Sequence, residues 1–213
     1  VRMSGRCAVT LIELLLTVAI ISIVLGFTTA AIQRVRWAAA GTECTNNMRQ
    51  IGLALHNYHD THRCFPPAVT IDDPNDSYHH LSWRVRIMPY LEQEGFWHAV
   101  QREFAVVPYP NTPPYHSGAA TVWAVFGCPL DGRVHSPQIY PPLGKIALSS
   151  YIGVEGTDYK TMNGILYKNS RTKMLQVQDG LSNTLLVGER PPSNNFRYGW
   201  FYFGSGQAFT GSL

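Results

Sequence analysis

The chain has 213 residues, 45% of them hydrophobic, 12% aromatic and 15% charged, with 18 Gly, 14 Pro and a net charge of +3. That length suits one domain, or one domain plus an anchor, and the low charged fraction excludes a charged disordered chain and a coiled coil. The 17 Lys and Arg are scattered against 14 Asp and Glu, which excludes a nucleic-acid surface, and four Cys are too few for a disulfide-rich miniprotein.

Residues 1–8 carry Arg2 and Arg6 and no acid, and residues 9–32 form an apolar run whose one charge is Glu13. A helix of roughly 20 residues crosses a bilayer core, so this run is long enough to span. Basic residues before it predict an N-terminus in the cytoplasm and the polar bulk of the chain outside. An ordinary secretory signal has a shorter apolar region and no use for an acid near its start. A plain anchor leaves Glu13 unexplained, because an intramembrane carboxylate costs a few kcal/mol.

The short basic leader and the stretch Val9-Thr10-Leu11-Ile12-Glu13 resemble the type IV prepilin signal. That resemblance implies cleavage between Ala8 and Val9 by a membrane prepilin peptidase, and methylation of the new N-terminus. It also implies that Glu13 pairs with the terminal amine of a neighbouring subunit. The family prefers Gly before the cut and Phe or Met after it, where this chain has Ala8 and Val9.

The helix is expected to continue to about His59. Cys44, Met48, Ile51, Leu55 and Tyr58 step by four and three residues along one apolar seam. Phe65-Pro66-Pro67 ends it. A second helix is predicted over 82–93, with Ser82 as N-cap and Pro89 kinking or splitting it, and another turn or two over 98–104. Four prolines within 108–114 mark a loop. Residues 149–154, 164–167, 173–177, 184–187 and 198–203 are short β-branched or aromatic runs bounded by turn residues, and predict an antiparallel sheet.

Five ordered blocks complete the pattern: CTNNMRQIGLALHNYHD, FPP, LSWRVRIMPYLEQ, FGCPLD and DGLSNTLLVGER. Together they resemble a planctomycete family of pilin-like proteins carrying a domain of unknown function (DUF 1559). The resemblance implies an α+β, pilin-like fold in which a long N-terminal transmembrane helix packs on an antiparallel sheet. It divides the chain into a leader (1–8), a membrane helix (9–32) and an extracytoplasmic domain (33–213). Members continue into a last strand with a His and then Asp-Gly, so the domain is expected to be truncated at Leu213.

Candidate chemistry is sparse. His56, His59 and His62 share a helix end without an evident third metal-ligand partner, and His79-His80 is weaker still. Cys44 and Cys128 lie in two of the blocks, and outside the cytoplasm they are candidates for a disulfide, with buried thiols as the alternative and Cys64 as a rival partner. A bridge across so long a loop stabilises by about 4–5 kcal/mol on the chain-entropy model. Asp179-Gly180-Leu181-Ser182-Asn183-Thr184 reads as a turn, with calcium binding by Asp179 and Asn183 as the weaker alternative. Glu189 and Arg190 are expected to pair. Tyr198, Trp200 and Tyr202 suit sugar stacking on paper, but their alternation reads as a core-facing strand.

No nucleophile elbow, P-loop or dinucleotide fingerprint is present; Gly204-Ser205-Gly206 lacks the third glycine. The expectation is therefore a non-enzyme without cofactor. It is a type IV pilin-like or pseudopilin subunit, single-pass in the inner membrane, with its C-terminal domain periplasmic or on the cell surface. Its expected partners are prepilin peptidase, other pilin-like subunits and assembly machinery. The alternative is a membrane-tethered module that binds an extracellular polysaccharide.

Overall fold

The computed structural model describes residues 10–157, 161–196 and 198–204, and divides between Thr42 and Glu43 into two compact units. Helix α1 runs Leu11–His62. The described part of the first unit is its N-terminal portion, where nearly every large apolar side chain is exposed, from Leu11 and Ile12 through Val24 and Leu25.

The second unit is an α+β domain. Its share of α1 buries Cys44, Asn47, Ile51, Ala54, Leu55 and Tyr58. The predicted seam is right except at Met48, which is 36% exposed; Asn47 takes the inward position and its Nδ2 donates to Gly127 O at 3.4 Å. The helix stops where Arg63 enters the left-handed region at φ 61 and donates its N–H to His59 O at 2.7 Å, a C-terminal cap that the prolines then make final.

The predicted helix over 82–93 is two pieces, α2 (Trp83–Arg86) and a 3-10 turn, Met88–Leu91, that holds Pro89. Ser82 precedes α2 without capping it, because its hydroxyl donates to Phe201 O instead. Helix α3 spans Glu94–Val106, 13 residues where a turn or two was expected. Val100 and Phe104 give it a buried face.

The β content is smaller than predicted. Strands β1 (Gln138–Tyr140) and β2 (Gly144–Ile146) pair antiparallel, as do β3 (Tyr151–Gly153) and β4 (Val187–Glu189) with Tyr151 opposite Glu189. Of the predicted strands, 149–154 and 184–187 survive in part, as β3 and the start of β4. Residues 164–167 form no named strand but make ladder-like bonds, Gly164 N to Glu155 O, Leu166 N to Val154 O and Ala68 N to Tyr167 O. Residues 173–177 hold a 3-10 turn, Met174–Gln176, closed by Lys173 N donating to Gln176 Oε1. Residues 198–203 enter the core through isolated bridges, Leu148 with Trp200 and Leu81 with Phe203. Phe201, Tyr202 and Phe203 are all buried, so this segment is covered on both faces rather than alternating.

All four residues of α2 are buried, two of them arginines. Arg84 Nε and Nη2 donate to Tyr151 O at 2.9 and 2.6 Å, and Nη1 donates to Trp200 O at 3.3 Å. Burial pushes its pKa down to about 9, which leaves it charged at neutral pH. One buried cation thus ties α2 to β3 and to the 198–203 segment. Those charge-assisted bonds are what make its desolvation tolerable. His116 adds a second tie: its Nε2 donates to Val107 O at 2.8 Å and its Nδ1 lies 2.9 Å from Tyr202 Oη.

Candidate functional site

Three features carry the sequence-based expectations. The first is the start of α1. The junction between Ala8 and Val9 lies outside the described residues. Thr10 and Glu13 are described, and they form a reciprocal helix cap. Glu13 Oε2 accepts from Thr10 N at 2.8 Å and from Thr10 Oγ1 at 2.9 Å, while Glu13 N reaches Thr10 Oγ1 at 3.4 Å. This is the spacing of a capping box, with Thr at N-cap and Glu three residues on. The Thr-Leu-Ile-Glu stretch carried that signal, and the sequence reading passed over it. The cap draws the carboxylate back over the helix end, among exposed apolar neighbours.

The second feature is the cysteine pair. Cys44, on α1, and Cys128, in the turn after the 3-10 turn Ala124–Phe126, are both buried free thiols with Sγ atoms 3.1 Å apart. The turn is pinned by Cys128 N donating to Ser150 Oγ at 3.0 Å. Burial pushes the Cys128 thiol up to about 12, with the Glu189 carboxylate and Cys44 adding to the effect. Cys64 is half-buried beside Pro67 and Arg171, on the wall of a cavity that neither of these cysteines lines. Cys44, Cys128 and Glu189 bring one ligand atom each within 4.8 Å of the others, and so form a group with the spacing to hold a metal ion. A metal needs thiolates, and the raised Cys128 pKa opposes that form. The geometry serves a dithiol or a bridge better.

Glu189 is committed to this cluster and makes no ion pair with Arg190 among the described residues. The two are sequence neighbours at a strand end, where successive side chains point apart, and the Arg190 guanidinium lies over the Tyr198 ring at 5.2 Å.

The third feature is the Asp179–Thr184 loop. Gly180 has φ +83, Asn183 Nδ2 donates to Asp179 O at 3.0 Å, and Thr184 Oγ1 donates to Gly180 O at 3.1 Å. The Asn side chain closes a turn on backbone oxygen, which occupies the donor side of its amide. The histidines of α1 are likewise engaged separately. His59 Nε2 accepts from Met174 N at 3.3 Å, His62 stacks on Tyr58 at 4.2 Å, and His56 meets the edge of Phe65 at 5.9 Å. Of the aromatic run near the end, Tyr202 is core, while Trp200 and Tyr198 are half-buried.

Neither the curated proteins nor the solved structures hold a match to this chain. One family does match, over residues 33–197, and all five ordered sequence blocks fall inside that span. The span covers most of the chain and the α+β unit just described, so the chain belongs to the family described as protein of unknown function (DUF1559).

Proposed function

We propose that this protein is a type IV pilin-like or pseudopilin subunit. It is anchored by α1 in the inner membrane and has a structural, not a catalytic, role in a filament or secretion assembly. The observation that carries the reading is Glu13, a carboxylate in the first turn of a helix long and apolar enough to cross a membrane. A simple anchor gains nothing from that charge, since an intramembrane carboxylate costs a few kcal/mol. Pairing with the terminal amine of an adjacent subunit recovers the cost, because two lipid-exposed charges become one compensated contact. In this reading prepilin peptidase removes residues 1–8, other pilin-like subunits pack along the exposed apolar face, and the α+β unit stands outside the cytoplasm.

The test is Glu13→Leu. Export, insertion and the folded outer domain should be retained, whereas membrane crosslinking into oligomers should be lost. Equal crosslinking of wild type and variant would reduce the helix to a tether, and the ligand-binding alternative would then take its place.

A further inference from the structure

Beside the C-terminal turn of α1, and wholly within the second unit, lies an open cavity of about 430 Å3. A neighbouring one of about 230 Å3 shares Tyr58 and His62 with it, so the two read as one groove. Four aromatic rings from four segments wall the larger part: Tyr58 from α1, Tyr78 from the loop before α2, Tyr90 from the 3-10 turn and Trp97 from α3. Tyr78 and Trp97 pack at 5.1 Å, and Tyr58 meets Tyr90 edge-on at 5.9 Å. Packed against one another, the rings are held before any ligand arrives.

The polar groups are equally specific. His98 Nδ1 lies 3.1 Å from Gln101 Oε1, and Gln101 Nε2 donates to Tyr78 Oη at 3.3 Å, which gives a rim of donors and acceptors. At the back, Arg86 is 94% buried, pairs through Nη2 with Asp76 at 2.9 Å, and bonds Thr70 Oγ1 and Tyr78 O. Its Nε is buried without a hydrogen-bond partner.

Charge narrows the ligand class. Asp76 offsets Arg86, and exposed Glu94 on the rim opposes an anion. His62 is held toward its neutral form by burial and by Arg86. A purely apolar ligand would cover the polar rim of Gln101 and His98 without bonding to it. Aromatic faces beside a rim of amide and imidazole groups suit an uncharged ring with an apolar face and many hydroxyls, at a volume typical of small-ligand sites, roughly 300–1,000 Å3.

We infer that this groove binds a neutral glycan, a pyranose ring lying on Trp97 and Tyr90 with its hydroxyls on Gln101 and His98. The site is independent of whether α1 assembles with other helices. The test uses the full chain in nanodiscs, which avoids sugar-headed detergents, titrated with cellohexaose, laminarihexaose and mannohexaose, and with hexagalacturonate as the acidic counterpart. At least one neutral hexasaccharide should bind at millimolar concentration or below, and more tightly than hexagalacturonate. Trp97→Ala should weaken binding about tenfold, the loss expected of one aromatic contact. Gln101→Ala, at a half-buried surface position, should weaken it about threefold with thermal unfolding unchanged, and carries the test if Trp97→Ala fails to fold. Failure of all three neutral glycans to bind, a preference for hexagalacturonate, or binding indifferent to both substitutions would each overturn the inference.

Discussion

Glu13 answers two local demands that a single substitution confounds. Its carboxylate caps Thr10, and its charge is what the proposed assembly would use. Leucine removes both, and loss of an N-terminal cap costs about 1 kcal/mol by itself. Glutamine separates them, since a Gln at that position completes the same capping box without charge. Glu13→Gln should therefore keep the helix start and membrane insertion of the wild type while losing oligomer crosslinks. Wild-type crosslinking by the Gln variant would assign the residue to capping alone. Thr10 gains meaning by the same logic, because it supplies the hydroxyl and the N–H that hold the side chain in place.

Between elements, the closest chemical link joins α1 to the turn at Cys128. The sulfurs lie about 1 Å beyond bonding distance, so a two-electron oxidation would need little movement. With the Cys128 thiol raised to about 12, spontaneous exchange is slow near neutral pH, and an oxidant acting as the domain folds is the expected agent. Protein recovered from membranes without reductant should show a Cys44–Cys128 peptide on non-reducing mapping, with Cys64 free to alkylate. Replacing both by Ser should then lower stability by up to about 4 kcal/mol. Free thiols at both positions, or a link to Cys64, would refute the bridge.

The helical elements were readable because α1 repeats its pattern over many turns, and Pro89 marked the break after α2. The strands were readable only in part, since three residues show no period: β3 and the start of β4 fell within predicted runs, β1 and β2 were missed, and 173–177 was mistaken for a strand although Leu175 lies fully in solvent at 99%. The groove was less legible still. Tyr58, Tyr78, Tyr90 and Trp97 come from four segments, and nothing local to any of them announces the other three.

At the scale of the whole molecule, the family span begins at residue 33, past the apolar run, and the two units are built on different terms. One exposes its apolar side chains and the other buries them. If the proposed topology holds, protease added to the outer side of spheroplasts should digest the α+β unit and leave a protected N-terminal fragment. Full protection of the chain would place that unit in the cytoplasm and refute the orientation.

The buried arginine of α2 has a consequence for the order in which the domain comes into being. Arg84 finds its partners on Tyr151 and Trp200, and Phe201, Tyr202 and Phe203 complete the core laid down by Ile51 and Leu55. A chain made from its N-terminus therefore presents Ile51 and Leu55 well before the 198–203 segment that completes their core is made. Completion of this core waits on the 198–203 segment rather than following from its N-terminal half alone. Whatever carries this polypeptide to its destination has that long interval in which to handle it still open.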